Sequence, residues 1–237
     1  MPEREYHREP QPLYAAAGAR GTPAPLPLAH RRRYLARVSY PDALFDLFMH
    51  PLEAVALRAR RRCRIARAAG DVLEVGAGTG ANLAYYDPRR VGSLTLTDLS
   101  IGERIQERAA AFRRSGLLDG ALRLADADAL DLPFASASFD TVAFTLVFCS
   151  VADQPAAFAE LRRVLRPGGR LVFIEHVRPR GGAGRLTDAL NPVWRAATRE
   201  CNINRDTVTA IRGAGFLIDD LQAGGGGFLV DGAARRG

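Results

Sequence analysis

Three glycines at alternate positions, Gly76, Gly78 and Gly80, stand between two acidic residues, Glu74 and Asp98, and this spacing suits nucleotide chemistry. Glycine lacks the Cβ that would block a tight turn, so a ligand can approach the backbone closely. Gly76-x-Gly78-x-x-Ala81 satisfies a dinucleotide fingerprint, which makes a nucleotide-dependent oxidoreductase one reading. Glu74, two positions before the first glycine, argues for another. At the mouth of the turn a carboxylate disfavours a pyrophosphate, which the backbone dipole would draw to a helix N-terminus. It favours a cation, an ammonium or a sulfonium. Asp98 lies 22 residues after Gly76, where a carboxylate can accept from two ribose hydroxyls; the competing role is a helix cap before Leu99-Ser100.

These residues need strands to present them. Residues 71–75 form a short apolar run that breaks into the glycines, after which a helix-compatible stretch begins. Residues 94–97 predict a second strand ending at Asp98, and 101–114 a helix with charged outer positions. Residues 122–125 predict a third strand, followed by Asp126-Ala127-Asp128. A fourth, 139–147, carries Thr145 near its end with Cys149 just beyond. A helix over 155–165 leads to a fifth strand, 170–175, with His176 past it. Helices over 186–198 and 206–213 precede a closing hairpin of 216–221 and 228–231 around the glycines 224–227. Strands alternating with helices imply a mostly parallel sheet with right-handed crossovers.

The chain has 237 residues, 47% of them hydrophobic, enough for one well-buried α/β domain with extensions. Residues 1–33, with Pro2, Pro10, Pro12, Pro23, Pro25 and Pro27 and no periodicity, read as a disordered or loosely packed leader. Residues 34–237 form the domain, and 34–69 its N-terminal helical cap. The cap carries Arg58, Arg60, Arg61, Arg62, Arg64 and Arg67, read as a solvated face, with lipid headgroup contact as the less favoured peripheral role. The formal charge is +7, yet every basic residue is Arg, so the bias of a GC-rich genome explains the charge more simply than nucleic acid does. No apolar run approaches the roughly 18 residues of a membrane-spanning helix, and the polar Met1–Pro12 has no signal-peptide core. Cys63, Cys149 and Cys201 are odd in number and widely spaced, with no zinc or C-x-x-C pattern, so a reducing cytoplasm and no metal are expected.

The segment Val72-Leu-Glu-Val-Gly-Ala-Gly-Thr-Gly80 resembles the first motif of the class I S-adenosylmethionine-dependent methyltransferases, whose cofactor carries both an ammonium and a sulfonium. Asp126-Ala127 resembles the segment in which an Asp side chain receives the adenine amino group and the next residue's backbone holds the ring; Asp128 takes that place if the register slips by two. Leu165-Arg-Pro-Gly-Gly169 resembles the turn feeding strand five, which dehydrogenases do not normally carry. The resemblance implies a Rossmann-like α/β fold: a seven-stranded, mostly parallel sheet with one antiparallel strand and helices on both faces. It implies S-adenosylmethionine as cofactor, S-adenosylhomocysteine as product, and contacts from Glu74, Gly76, Ala77, Gly78, Gly80, Asn82, Asp98, Leu99, Asp126, Ala127 and Thr145.

Residues 145–151, 173–177 and 201–207 are similar to a branch containing small thiol S-methyltransferases and bacterial phosphatidylethanolamine or quinone methyltransferase-like proteins; Asn202 departs from it where relatives often show His. A small-molecule thiol is the acceptor this implies, with an amine, quinone or phospholipid headgroup as the alternative. The reaction is an in-line displacement at a sulfonium methyl, so the protein mainly positions the acceptor and removes its proton. A thiol needs little help, since its thiolate forms near neutral pH. His176 is the candidate base; its competing role is to fix the loop after strand five. Tyr40, Cys149 and Arg205 are acceptor-pocket candidates, Arg205 facing either an acidic acceptor group or Asp206. Asn191-Pro-Val-Trp194 resembles the signature of nucleic-acid amino methyltransferases, but that signature follows strand four, so no nucleic-acid partner is expected. The expected assembly is a monomer or homodimer.

Overall fold

The computed structural model describes residues 56–116, 118, 121–198 and 201–237. The leader, Tyr40 and the first part of the helical cap lie outside the described residues. Counted from the first described element, the order is α1 (Arg58–Arg64), β1 (Gly70–Val75), β2 (Val91–Asp98), α2 (Glu103–Arg114), β3 (Leu122–Asp126), β4 (Phe139–Thr145), α3 (Gln154–Val164), β5 (Leu165–His176), α4 (Gly181–Ala197), α5 (Thr207–Gly213), β6 (Phe216–Gly224) and β7 (Leu229–Arg236).

The seven strands form one sheet in the order β3-β2-β1-β4-β5-β7-β6. β1 to β5 run parallel, and β7 is antiparallel to both β5 and β6. The expected sheet with one antiparallel strand is therefore the one observed. Strand order reverses between β1 and β4, and in open α/β sheets the ligand crevice lies at that switch point, outside the carboxyl ends of the strands.

Alternation along each strand loads both faces. Leu73, Val75, Val142, Phe144 and Phe173 point into one apolar cluster, where Phe158, Leu161 and Ile211 of α3 and α5 meet them. Val72, Leu94, Leu96, Ala143 and Val172 point into the other, against Ile105 and Ala109 of α2. A sheet covered on both faces is what near-continuous apolar strands such as Val142–Phe144 require.

Three expectations change. The stretch after the glycines is a single 3₁₀ turn, Leu83–Tyr85, in place of a helix. Only seven residues separate Gly80 from Pro88, and the proline biases Asp87 away from helical geometry, so the chain turns directly into β2. β5 begins at Leu165, with the Arg-Pro-Gly-Gly turn absorbed as a bulge: Phe139 pairs with Leu165 and Thr141 with Arg170, so Asp140 opposes four residues. Finally, the arginine run is not simply a solvated face. Arg61 and Arg64 are buried, at 6% and 1% exposure. Arg64 pairs with Asp231 of β7 at 2.7 Å and with Asp220 of β6, and Arg60 meets the other oxygen of Asp231 at 2.8 Å. Arg58 and Arg62 remain exposed. The run thus clamps the first helix to the far edge of the sheet. Among the described residues, no helix is long and apolar enough to cross a membrane.

Candidate functional site

The glycine turn leaves β1 at the switch point. Gly76, Gly78 and Gly80 all adopt left-handed backbone angles (φ 69°, 56° and 78°). Two of them matter for different reasons. A Cβ on Gly76 would lie 2.4 Å from a methyl of Val147, so this glycine lets the segment after β4 close over the turn. A Cβ on Gly78 would meet nothing within 4 Å, so its backbone is open to a ligand. Ala77 donates its N–H to the carbonyl of Thr97 at 2.9 Å, tying the turn to β2.

Glu74 is not at the mouth of the turn. It is 2% exposed, beneath the loop, and accepts from the Tyr86 hydroxyl at 2.6 Å and from Asn82 Nδ2 at 2.9 Å. Asn82 also donates to Thr145 Oγ1 at 3.1 Å and accepts from Arg61. One buried network therefore joins α1, β1, the 3₁₀ turn and the end of β4. Burial pushes the Glu74 carboxyl up to about 7, against the opposing hydrogen bonds of Tyr86 and Asn82 and the nearby Arg61 charge. Asn82 and Thr145, expected at the cofactor, are partners of each other.

Asp98 stands at the end of β2. One carboxylate oxygen accepts from Gly78 N and the other from Leu99 N, both at 2.8 Å. The side chain thus holds the open glycine in place. In the neighbouring segment the two registers differ. Asp126 is exposed, accepts from Ile101 N at 2.8 Å, and borders a groove of about 590 Å³ with Leu124, Gln106 and Arg113 on the β3–α2 side. Ala127 donates its N–H to the carbonyl of Asp98 at 2.8 Å, so that donor is already engaged. Asp128 accepts from Leu130 N at 2.9 Å, and between them the N–H of Ala129 donates to nothing among the described residues.

Past β4 the chain makes a sharp corner. Leu146 has φ 56°, a strained value for a branched side chain, held by its N–H bond to the carbonyl of Ile174 at 2.9 Å. Glu175, fully buried, accepts from Val147 N at 3.0 Å, Phe148 N at 2.7 Å and His176 N at 3.0 Å. Burial pushes its carboxyl up to about 7 as well. Phe148 stacks on Phe158 with ring centroids 4.1 Å apart and touches Phe144 at 4.4 Å. These contacts fix Cys149, which is buried, at the C-terminal end of the sheet.

The structure brings two further residues to Cys149. Asn202 donates both its N–H (3.0 Å) and its Nδ2 (2.9 Å) to the carbonyl of Cys149, and Asn191 of α4 supports Asn202 from behind at 3.2 Å. Cys201 is carried along, and its Sγ lies 3.6 Å from His176 Nδ1. Hydrogen bonding from Cys149, with His176 beside it, lowers the Cys201 thiol well below its usual range, and the Cys149 thiol rises. His176 thus faces a thiol rather than open solvent. Arg205 donates to the carbonyls of Val151 and Phe148 and, among the described residues, bonds neither to an acidic group nor to Asp206, which caps α5 at Thr209 N. Cys201 and Asn202 escaped sequence reasoning as site residues because 52 positions separate the two cysteines and no spacing rule links them. Asn191-Pro-Val-Trp194 lies inside α4 and does not directly follow strand four along the chain.

Residues 73–173 match a family described as "Methyltransferase domain". The chain is 34% identical over 158 residues to "Thiol S-methyltransferase TMT1A" of Homo sapiens, covering 64% of this chain and 62% of that protein. It is 30% identical over 177 residues to "Ubiquinone/menaquinone biosynthesis C-methyltransferase UbiE" of Dinoroseobacter shibae, covering 72% and 70%. The match to the human thiol methyltransferase therefore spans under two thirds of that protein's length. Among solved structures, a geranyl diphosphate C-methyltransferase from Streptomyces coelicolor in complex with S-adenosyl-L-homocysteine shares the fold, with TM-score 0.57, 17% identity and 76% of each chain covered. With the 3-2-1-4-5-7-6 sheet, the glycine turn at its switch point and Asp98 pinned beside it, these matches show that the chain belongs to the class I S-adenosylmethionine-dependent methyltransferases.

Proposed function

We propose that the chain transfers the methyl group of S-adenosylmethionine to a small-molecule thiol. The observation that carries the thiol is the 34% identity to the human thiol S-methyltransferase. It agrees with a site whose candidate base, His176, is turned toward Cys201, because a thiol acceptor ionises without a strong base. In this reading the cofactor lies along Gly78. Asp98, at the end of β2 beside Gly78, receives the ribose hydroxyls. Adenine is held in the later of the two registers, Asp128 accepting from the amino group and the N–H of Ala129 donating to a ring nitrogen, because the N–H of Ala127 is already engaged.

A second reading, C-methylation of a quinone, is favoured by the similarity to the UbiE relative, which covers more of both chains. The test is incubation with S-adenosylmethionine and a mixed panel of thiols, quinols, amines and phospholipids, read by the mass gain of one methyl group. Thiol products support the proposal. Methylated quinol with untouched thiols overturns it.

A further inference from the structure

The geometry points to a zinc site formed by Cys149, His176 and Cys201, with a fourth position open to the sulfur of the acceptor. The ligand atoms of these three residues all lie within 4.8 Å of one another. Cys201 Sγ lies 3.6 Å from His176 Nδ1, close to the spacing tetrahedral zinc requires. Bonds of about 2.3 Å to sulfur and about 2.0 Å to nitrogen, at the tetrahedral angle, put the two ligands about 3.5 Å apart.

The ligands come from three different elements, and each is fixed without the metal. Cys149 is set by the stacked Phe148, by Glu175 beneath the corner, and by the two donors of Asn202 on its carbonyl. His176 ends β5, locked in register opposite Leu229 of β7. Cys201 donates its N–H to the carbonyl of Thr198 at 2.8 Å, just beyond the end of α4. Partners of this kind orient metal ligands and tune them.

Composition and count decide the metal and its use. Two thiolates and an imidazole select a soft or borderline ion, zinc above all, over magnesium or calcium. Among the described residues no fourth Cys, His, Asp or Glu joins the group. Structural zinc sites are closed by four protein ligands, and catalytic ones keep a position open. The site also sits at the carboxyl ends of β4 and β5, the side of the sheet on which Gly78 is exposed.

The inference rests on the thiol reading above and supplies what His176 as a free base would otherwise have to do. The acceptor S–H bond breaks as its sulfur binds zinc, and the proton leaves to solvent. The zinc-held thiolate then forms a bond to the methyl carbon. The bond from that carbon to the sulfonium breaks, and its electron pair stays on the departing sulfur as S-adenosylhomocysteine forms. Zinc keeps its oxidation state. Two cysteine thiolates cancel its charge, so the bound substrate sulfur stays electron-rich, and the neutral thioether product is a poor ligand that departs.

The test uses the full chain, purified under a phosphine reductant, with metal content read by elemental mass spectrometry and S-adenosylhomocysteine binding by titration calorimetry. Wild type and Cys63→Ser, whose cysteine is exposed on α1, should hold roughly one zinc per chain, and Cys149→Ser and Cys201→Ser below about a tenth of that. Cobalt(II) in place of zinc should give thiolate charge-transfer bands that shift on adding a small thiol and stay unmoved by a quinol. Zinc in wild type no higher than in Cys201→Ser, copper in its place, or cobalt bands indifferent to thiol would overturn the site. Calorimetry separates the two ideas. Tight S-adenosylhomocysteine binding without zinc sinks the metal alone, whereas zinc with thiol-sensitive cobalt bands and no cofactor binding sinks the methyltransferase reading.

Discussion

Replacing Glu74 by Gln tests the buried network beneath the glycine turn. The carboxyl is pushed from 4.5 up to about 7, chiefly by burial. The groups facing it are Tyr86 and Asn82 from the 3₁₀ region, Arg61 from α1 and Asp98 from β2; the first three favour the charged form and Asp98 opposes it. Between these two values the folded protein holds a proton that the unfolded chain has released. The contribution to stability is therefore full below pH 4.5 and is lost as pH rises through about 7. A displacement of roughly 2.5 units corresponds to about 3 kcal/mol. Gln stays neutral throughout and retains an acceptor for Tyr86 or Asn82, so its stability should lack this loss. Urea unfolding followed by circular dichroism, on wild type and Glu74→Gln from about pH 5 to about pH 8, gives the difference directly. Taking the difference removes Glu175, which titrates in the same direction. The variant should gain about 2.5 kcal/mol relative to wild type across that range. Near pH 5 it should be the less stable protein by about 1 kcal/mol, the worth of one imperfect hydrogen bond. Parallel pH curves would refute the reasoning, because they would mean that Glu74 ionises as it does in water.

The other perturbations are simpler. Asp98→Ala removes the proposed ribose acceptor and unties Gly78, so S-adenosylhomocysteine binding measured by calorimetry should weaken by roughly 1.5–3 kcal/mol; unchanged affinity would remove Asp98 from the site. Asp128→Ala should weaken the same binding by about 1–2 kcal/mol while Asp126→Ala leaves it nearly intact, and the reverse order would restore the earlier register. Arg64→Ala leaves the 2%-exposed Asp231 with Arg60 as its remaining ion-pair partner, so urea unfolding should show a loss of about 3 kcal/mol, the low end for breaking a buried pair. A loss under about 1 kcal/mol would mean that the clamp between α1 and β7 relaxes into water.

The class of the fold was legible from local features. Strand boundaries follow apolar runs that alternate faces, and Gly76 to Gly80 need left-handed angles that side chains rarely adopt. Such signals span a few neighbouring residues, so the linear chain contains them. Even the Arg-Pro-Gly-Gly turn was readable, although it is a bulge inside β5. The helix expected after the glycines failed for a local reason too, the early proline.

What the sequence could not contain is decided by contacts across long separations. Glu74 looks like an exposed ligand until β1 is known to be covered on both faces, and then it becomes the buried partner of Asn82 and Tyr86. The arginine run looks solvated until β7 brings Asp231 under it, 167 positions after Arg64. Cys149 and Cys201 follow no metal-ligand spacing, because the rule that unites them is not a spacing. It is the pair of hydrogen bonds from Asn202 to the Cys149 carbonyl, beside the end of β5. Local propensity determined the scaffold, and burial and pairing between distant residues decided which of its polar groups meet.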